Sequence, residues 1–374
     1  MNKKHPINIL HVTYDMGLGG TEQVIRNLIK GSDSDRFKHH LCCIESPLGP
    51  WGEELKDMGI PTFVFQREPK LDWKLIRKIR ALVKQHKFDI VHAHQYTPFT
   101  YGFFAIIGSG AKIIFTEHGR FYPDSSTFKR RVINRLLFPF VDKVTAISEA
   151  TKSALIIHER IKAAKIEVIY NGIQSVPTPE KSELETLRQT LGLKPEHLIF
   201  GTIARFDPIK NQALMIRAFA ELNKKHPHTR LILVGDGSER SNLEAVVAEL
   251  DLNNSVIFTG YRTNPYEFIH LFDVFLLTSL SEGTSMTLLE AMSAGKPCIA
   301  SDAGGNPEIV TDKKTGLIFP NKDKPALVNA LSQITEDESL RLKFGAEALN
   351  QFNNRFSSEK MQKNFSDIYT QLCK

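Results

Sequence analysis

Two glutamates in the second half of the chain, Glu282 and Glu290, have seven residues between them and are well placed for chemistry. The apolar run Val274–Leu277 predicts a buried strand ahead of them, and Ser285–Ala294 predicts a helix packed behind that strand. Ligands of open α/β sheets bind outside the carboxyl ends of the strands, where backbone N–H groups at a helix start suit a phosphate. We expect the two carboxylates to accept hydrogen bonds from sugar hydroxyls there, each worth roughly 1.5–3 kcal/mol.

Two basic residues occupy a matching position earlier in the chain. Arg205 and Lys210 follow the apolar run Leu198–Ile203, so they too are predicted at the carboxyl end of a strand. Because cations suit phosphates and carboxylates suit hydroxyls, the four side chains together indicate a site for a sugar nucleotide. The alternative is ordinary surface charge: two solvated acids on an amphipathic helix, and a helix start with one surface ion pair.

Short motifs elsewhere complete a recognisable set. Behind the glutamates come Gly295, Pro297, the pair Gly304–Gly305 and Glu308. The first half contributes GLGGTE at 17–22, DIVHAH at 89–94, TEHG at 116–119, AIS at 146–148 and VIYNG at 168–172. With these motifs, nearly the whole chain resembles the retaining glycosyltransferases of family four, the group 1 family with the GT-B fold.

The resemblance implies a hexosyltransferase-type glycosyltransferase that moves a sugar from a nucleoside diphosphate, expected to be UDP, to a hydroxyl acceptor. It implies that the acceptor attacks from the side of the leaving group and that a phosphate oxygen takes its proton. No metal and no cofactor are expected, since the nucleotide sugar is a substrate. The catalytic residues would be His118, Arg205, Lys210 and Glu282. The donor would be bound by Gly19, Gly20, Arg262, Gly283, Thr284, Ser285, Met286, Thr287 and Glu290.

Individual roles follow from the same resemblance. Glu290 would hold the ribose hydroxyls, Glu282 the hydroxyls of the donor sugar, and His118 would lie beside that sugar. The glycine loop at 17–20 would border the diphosphate and the acceptor, while Gly260-Tyr261-Arg262 is a candidate base-binding loop. The common Glu-Gly-Phe-Gly form of the family motif is Glu-Gly-Thr-Ser at 282–285 here, so the identity of the sugar does not carry over.

The elements that must position these residues alternate between strand-like and helix-like runs in both halves of the chain. This alternation predicts an α/β protein with parallel sheets, and 374 residues are too many for one comfortable core. We expect two Rossmann-like domains facing each other across a cleft. The predicted divisions are an acceptor domain at 1–173, a linker at 174–189, a nucleotide-sugar donor domain at 190–356, and a C-terminal helix at 357–372 that crosses back to the first domain.

The formal net charge of +6 allows a nucleic acid, an anionic membrane or a phosphorylated substrate as partner. Two cationic, amphipathic segments, Lys70–Lys87 and Lys129–Phe140, favour an anionic membrane surface and a glycan or lipid-linked acceptor over nucleic acid. The alternative is that their apolar stripes face the core. Without a long apolar run or a cleavage site, we expect a cytoplasmic enzyme with peripheral contact on the inner membrane face. Buried thiols at Cys42 and Cys298 fit a reducing cytosol.

Other constellations support rival functions less well. His92 and His94 flank one residue on a predicted strand, but the sequence nominates no third metal ligand. The acidic triplet at 33–35 predicts a solvated turn. The glycine loop and Glu45 could belong to a nicotinamide-dependent dehydrogenase, although Glu22 replaces the third glycine of that fingerprint. A same-fold epimerase or phosphorylase and a polyanion-binding module also remain open.

Overall fold

The computed structural model describes residues 5–119 and 127–374. The chain packs as two compact units, one formed by Met1–Gly172 with Ser358–Lys374 and the other by Ile173–Ser357. Each unit contains its own parallel sheet with helices between successive strands. The predicted α/β class with two Rossmann-like sheets is therefore confirmed.

The described part of the first unit contains a seven-stranded sheet. Its strands are β1 (Ile7–Thr13), β2 (Phe37–Cys43), β3 (Thr62–Val64), β4 (Ile90–His94), β5 (Lys112–Glu117), β6 (Lys143–Ala146) and β7 (Ile166–Val168). The spatial order is β3-β2-β1-β4-β5-β6-β7, and neighbouring strands are parallel. The order reverses between β1 and β4, which makes that junction the topological switch point where ligands of such sheets bind.

Helices connect these strands. They are α1 (Gly20–Lys30), α2 (Pro50–Asp57), α3 (Trp73–His86), α4 (Tyr96–Ile106), α5 (Phe128–Leu137) and α6 (Glu149–Glu159), with single 3₁₀ turns at Phe138–Phe140 and Ala163–Lys165. All five residues of β4 are buried, as expected of a central strand covered on both faces.

The second unit repeats the scheme with a six-stranded parallel sheet among the described residues. Its helices are α7 (Lys181–Thr190), α8 (Gln212–Lys225), α9 (Arg240–Glu249), α10 (Tyr266–Leu271), α11 (Met286–Ser293), α12 (Asn306–Ile309), α13 (Lys324–Glu336) and α14 (Glu338–Arg355). Its strands are β8 (Leu198–Ile203), β9 (Thr229–Val234), β10 (Val256–Gly260), β11 (Val274–Leu277), β12 (Cys298–Ser301) and β13 (Gly316–Phe319), and a 3₁₀ turn covers Pro208–Lys210. The order β10-β9-β8-β11-β12-β13 puts the switch point between β8 and β11.

Two predicted boundaries can be compared with these elements. The last helix, α15 (Ser358–Leu372), packs within the first unit, where Tyr369 and Phe365 are buried. The stretch 174–189, predicted as a linker, is helical from Lys181. A capping box between Glu180 and Glu183 starts α7, and none of its residues is buried.

Candidate functional site

The loops after β8 and β11 lie side by side at the switch point of the second unit. Asp207 starts the 3₁₀ turn by accepting a hydrogen bond from the Ile209 N–H at 3.1 Å. The Thr278 hydroxyl, directly after β11, donates to the Lys210 carbonyl oxygen at 3.1 Å. The Leu280 N–H donates to the Ile209 carbonyl oxygen at 2.7 Å. These bonds fix the backbone of Lys210 against the loop that carries the first glutamate.

Lys210 and Glu282 form an ion pair in which Nζ and Oε1 are 2.6 Å apart. The Glu282 side chain is 10% exposed and the Lys210 side chain 25%, so the pair is better shielded than an ordinary surface pair. The structure thus brings together the predicted phosphate ligand and the predicted sugar ligand. In the pair, each charge neutralises the other.

The carbonyl of Glu282 is held by the glycine pair that follows β12. The Gly305 N–H donates to the Glu282 carbonyl oxygen at 3.1 Å. Gly304 has φ +55°, and a Cβ there would collide with that same carbonyl oxygen. Only glycine satisfies both requirements, because the left-handed region and the close backbone approach each exclude a side chain. The motif Gly304–Gly305 therefore positions the acid.

Arg205 is anchored by its backbone, while its side chain is 74% exposed. The Gln212 amide donates to the Arg205 carbonyl oxygen at 3.0 Å, and the guanidinium pairs with Asp207 at 3.0 Å. Gly235 and Gly237 pack so closely on the neighbouring backbone that a Cβ at either position would strike a carbonyl oxygen. This turn holds the Arg205 loop because β8 pairs with β9.

Helix α11 carries Glu290, the second of the two glutamates identified from the sequence. The Ser285 hydroxyl caps it by accepting from the Leu288 N–H at 3.3 Å. Glu290 lies about one turn further on and is buried. The predicted donor residues Gly283, Thr284, Met286 and Thr287 are half-buried around this helix start.

Buried polar groups that the sequence analysis missed support the same loops. The Ser301 hydroxyl donates to the Ser279 carbonyl oxygen at 2.6 Å, and the Asn306 amide donates to the Ser301 carbonyl oxygen at 3.2 Å. All three residues are buried. Their positions directly after β11, on β12 and at the start of α12 would have been a usable signal, since polar side chains at strand ends rarely serve the core.

The predicted base-binding loop follows β10. The Gly235 N–H donates to the Gly260 carbonyl oxygen at 3.0 Å, which ties this loop to the turn beside Arg205. Tyr261 is largely exposed, and the Arg262 guanidinium lies 5.6 Å from the centre of the Phe268 ring. The assignment of Arg262 to the donor stays a prediction.

In the first unit, the glycine loop ends at the start of α1. The helix begins at Gly20 with Gly19 in the N-cap position and without a side-chain cap. The Asp15 carboxylate accepts from the Gly17 N–H at 3.0 Å, and burial raises the pKa of Glu22. Because no side chain caps the helix, its first backbone N–H groups can donate hydrogen bonds to a ligand.

His118 follows β5 and contacts a group of histidines on the same face of the sheet. Its Nε2 atom lies 2.9 Å from Nδ1 of His94. His11, His92 and His94 each offer a ring nitrogen within 4.8 Å of the others, and all three are buried. The sequence nominated no third metal ligand, and His11 takes that position because strand order brings β1 beside β4.

Burial favours the uncharged form of these rings. Burial lowers the pKa of His118 to about 3 and that of His39 to about 4. Burial also puts the pKa of His11, His92 and His94 well below the ordinary value. The nitrogens of His92 lie 2.8 Å from the Tyr369 hydroxyl and 2.6 Å from the Thr116 hydroxyl.

Residues invoked for rival functions are engaged elsewhere. Glu45 pairs with Arg67 at 2.7 Å, which occupies the acid that a dinucleotide-binding site would need for a ribose. The triplet at 33–35 is exposed and forms a turn in which the Asp35 N–H donates to Asp33. Cys42, Cys43 and Cys298 are buried free thiols, and Cys373 is exposed.

The two cationic helices differ in their apolar faces. On α3, Ile76, Ile79 and Val83 face the core, so only Trp73 remains largely exposed from the predicted stripe. Around α5 the opposite holds, and five exposed apolar residues form what we call the α5 surface: Phe128, Val132, Ile133, Leu136 and Phe140. Among the described residues, no helix is both long and apolar enough to cross a bilayer.

Comparison with known proteins places the chain in a family. A sequence model described as glycosyl transferases group 1 matches residues 184–351, and one described as glycosyltransferase family 4 matches residues 18–175. The chain belongs to the group 1, family four glycosyltransferases. It is a hexosyltransferase-type enzyme that acts on a nucleotide-sugar donor, as predicted.

Individual relatives cover nearly the whole chain. The UDP-Gal:alpha-D-GlcNAc-diphosphoundecaprenol alpha-1,3-galactosyltransferase of Escherichia coli is 27% identical, over 98% of this chain and 97% of its own. The N-acetyl-alpha-D-glucosaminyl L-malate synthase of Bacillus anthracis is 29% identical, over 82% of this chain and 80% of its own. The structure of Anabaena HepE in complex with UDP matches with a TM-score of 0.86 and 25% identity, over 98% of this chain and 100% of that one.

Proposed function

We propose that the protein is a retaining, metal-independent glycosyltransferase that moves a sugar from a UDP-sugar to a hydroxyl of a glycan or lipid-linked acceptor in polysaccharide or glycolipid assembly. The observation that carries this proposal is the Lys210–Glu282 pair at the switch point of the second unit. UDP as the donor nucleotide is supported by the UDP complex of HepE and by the name of the E. coli relative, a UDP-Gal-dependent galactosyltransferase.

The ion pair suits a site that must bind two kinds of group, a diphosphate and sugar hydroxyls. When a donor binds, Lys210 turns to the diphosphate and Glu282 accepts hydrogen bonds from sugar hydroxyls. The two charges neutralise each other in the pair, so neither is left as an unpaired, shielded charge, which would cost several kcal/mol. Arg205, whose side chain extends into solvent, adds a second cation for the diphosphate.

The reaction breaks the bond between the anomeric carbon and the phosphate oxygen, and forms a bond from that carbon to the acceptor oxygen. Negative charge grows on the leaving diphosphate, so its stabilisation is the main catalytic task. One well-placed electrostatic contact of this kind is typically worth ~10²–10³ in turnover. Lys210, Arg205 and the backbone at the start of α11 supply these contacts, and a phosphate oxygen takes the acceptor proton.

Glu290 accepts hydrogen bonds from the ribose hydroxyls of the donor. Its burial on α11 fits a carboxylate that binds one fixed part of the donor. Metal independence is supported by the two basic residues of the donor loops, because Arg205 and Lys210 can neutralise the diphosphate in place of a metal ion. The Asp-Ser-Asp segment at 33–35, whose two carboxylates could otherwise hold a cation, is an exposed turn.

The α5 surface supports peripheral binding to the cytoplasmic face of an anionic membrane. Phe128, Val132, Ile133 and Leu136 lie on α5, and Phe140 follows in the 3₁₀ turn after it. The exposed cations Lys129 and Arg135 lie on the same helix. Apolar insertion together with cationic attraction is the combination that holds an amphipathic helix on anionic lipid. A lipid-linked acceptor, such as the one named for the E. coli relative, would be found there.

The test is a transfer assay with a panel of UDP-sugars and a polyprenyl-diphosphate-linked sugar as acceptor, run in EDTA. We expect one donor to give a new glycoside whose anomeric configuration, read by NMR, matches that of the donor. An inverted product, or activity that needs a divalent ion, would contradict the proposal.

The same assay separates the same-fold alternatives. Donor incubated alone should not yield an isomeric UDP-sugar, which an epimerase would release. Product incubated with inorganic phosphate should not yield a sugar phosphate, which a phosphorylase would release.

A further inference from the structure

Three histidines of the first unit have their rings on one face of its sheet. His11 lies on β1, and His92 and His94 lie on β4, which pairs with β1 in parallel. His11 and His92 are register partners, and His94 is two residues further along β4. Residues side by side on paired strands, and residues two apart on one strand, point to the same face. The fold therefore brings these rings together, and we call them the β1–β4 histidines.

The spacing of the β1–β4 histidines is close to that of metal ligands. Each ring offers a nitrogen within 4.8 Å of the other two, and His11 Nδ1 lies 3.0 Å from His94 Nε2. A tetrahedral Zn²⁺ ion holds imidazole nitrogens at about 2.0–2.1 Å, which puts two ligand nitrogens about 3.3 Å from each other. His11 and His94 already have nearly this separation, so His92 is the ring that must turn toward them.

The outer nitrogens of His11 and His94 also suit metal ligands. A histidine that binds a metal through one ring nitrogen usually donates the N–H of the other nitrogen to a fixed acceptor. His11 Nε2 lies 2.8 Å from His39 Nδ1, and His94 Nδ1 lies 2.9 Å from His118 Nε2. With a metal ion on His11 Nδ1 and His94 Nε2, these outer nitrogens carry the protons and donate to His39 and His118. Both ligand rings are thus held in orientation by a neighbour.

His92 has a hydroxyl partner at each nitrogen. Its Nδ1 atom lies 2.8 Å from the Tyr369 hydroxyl, and its Nε2 atom lies 2.6 Å from the Thr116 hydroxyl. The Thr116 hydroxyl is also 2.6 Å from the Thr145 hydroxyl, so it keeps a partner when His92 leaves it. Metal binding through Nε2 therefore costs one hydrogen bond without leaving a buried hydroxyl unsatisfied, and Nδ1 still donates to Tyr369.

The chemistry of the donor set selects the kind of ion. The β1–β4 histidines supply three imidazole nitrogens and neither a carboxylate nor a thiolate. Imidazole suits Zn²⁺ and its neighbours among the first-row transition metals, whereas Mg²⁺ and Ca²⁺ require oxygen ligands. Three histidines leave the fourth tetrahedral position to a water molecule.

We propose that His11, His92 and His94 bind one first-row transition ion of the Zn²⁺ type within the first unit. The ion cross-links β1 and β4, the two strands at the switch point, and so stabilises this unit. Because the rings are hydrogen-bonded without the ion, the unit folds in its absence and the ion adds stability. It takes no part in sugar transfer, for which the second unit supplies its own cations.

The direct test is a titration of Zn²⁺ into full-length protein that has been treated with EDTA and dialysed. We expect one equivalent to bind in competition with a chelating dye, and the melting temperature to rise, because the ion binds the folded state. In ¹⁵N NMR, Zn²⁺ should shift His11 Nδ1, His92 Nε2 and His94 Nε2 together, and Mg²⁺ should shift none of them. Absence of Zn²⁺ binding, or binding that leaves these resonances unchanged, would overturn the proposal.

Two variants locate the site. H11Q removes a ligand, so the affinity for Zn²⁺ should fall by more than about 100-fold. H39Q removes only the acceptor that orients His11, and the loss should be about 10–100-fold, as is usual for outer partners of metal ligands. If the buried H11Q variant fails to fold, H39Q still tests the site. Unchanged affinity for Zn²⁺ in H39Q would contradict the proposal.

The matched control is His40, which is next to His39 in the sequence but packs against the rings of Phe88 and His86. H40Q should bind Zn²⁺ as tightly as the wild type, and an equal loss in H40Q and H39Q would overturn the proposal. So would several equivalents of Zn²⁺ that remain bound to H11Q, since they would indicate adventitious binding only. Binding of Zn²⁺ and binding of UDP are measured separately, so a protein that binds Zn²⁺ but not UDP would refute the proposed function alone.

Discussion

The two sheets share a strand order around their switch points, β2-β1-β4-β5 in the first unit and β9-β8-β11-β12 in the second. In the second unit, the loops that follow the central strands carry a shielded ion pair, Lys210–Glu282. In the first unit, buried histidines lie on the central strands themselves, and His118 follows β5. The same topology thus presents charged groups in the loops of one unit and, on the strands of the other, buried rings whose pKa values are lowered by burial.

The largest expected effect comes from removing the cation of the second unit. Lys210→Ala should lower kcat by about 10²–10³, because the departing diphosphate loses a preorganised positive charge. Steady-state kinetics with the preferred UDP-sugar measures the loss. Lys324→Ala is the matched control, since Lys324 forms a lysine–glutamate pair of the same 2.6 Å length with Glu221 on the surface. Similar kinetics in the two variants would show that Lys210, at the switch point, has no special role in catalysis.

The charged set was predictable from the sequence, and the reason is local. Arg205, Lys210 and Glu282 come within seven residues after short apolar runs, so their place beyond strand ends depends only on recognising those strands. The cluster of buried histidines could not be predicted in this way. His39, His11, His94 and His118 come together only through the order of four strands that are distant along the chain. The contact between Gly304 and Glu282 is hidden for the same reason.

A second prediction concerns the backbone that holds Glu282. Gly304→Ala adds a Cβ where it meets a carbonyl oxygen and also strains the left-handed conformation, so kcat/KM should fall about 10²-fold, a loss of roughly 2.7 kcal/mol in transition-state binding. Initial rates over a range of UDP-sugar concentrations measure this change in kcat/KM.

The control for this variant is Gly192→Ala, also in the second unit. Gly192 has φ +65° with open space around it, so it carries the conformational strain without the collision. Its kcat/KM should stay near that of the wild type. If G192A and G304A lose equal activity, the contact with Glu282 is irrelevant.

A third prediction uses the neutral rings of the first unit. Their folded pKa values lie below those of the unfolded chain, so the unfolded state binds more protons below about pH 6.5. The stability that these rings contribute is present above that pH and is lost as the pH falls, by about 1.4 kcal/mol per pH unit for each ring. Hydrogen exchange at pH 7 and pH 5, corrected for the intrinsic rate, should show the first unit loosening more than the second. An equal loss of exchange protection in both units would contradict the prediction that acid destabilises the first unit more than the second.

A fourth prediction tests the buried carboxylate on α11. Glu290→Gln keeps the shape of the side chain but removes the charge, so the hydrogen bonds to the ribose weaken by about 1.5 kcal/mol. The KM for the UDP-sugar should rise roughly tenfold with little change in kcat. A fall in kcat at unchanged KM would assign Glu290 to the reaction and not to the nucleotide.

The smallest effect is expected at the α5 surface. Replacing Phe128 and Phe140 together by Ser should weaken binding to phosphatidylglycerol-containing vesicles about tenfold, because two exposed rings no longer insert. Sedimentation with vesicles measures this binding. Leu342→Ser, at an equally exposed apolar residue of the second unit, should have no effect. Unchanged sedimentation of the double variant would exclude this surface as the membrane contact.

The central claim is that the second unit binds a nucleoside diphosphate through Lys210 without a metal ion. Calorimetric titration of UDP into the full-length protein in EDTA tests it most directly, with Lys210→Ala and Lys324→Ala alongside. We predict that UDP binds the wild type and K324A equally well in EDTA, and that K210A binds it about 10–100-fold more weakly. Loss of UDP binding in EDTA, or equal affinity in K210A, would contradict the account.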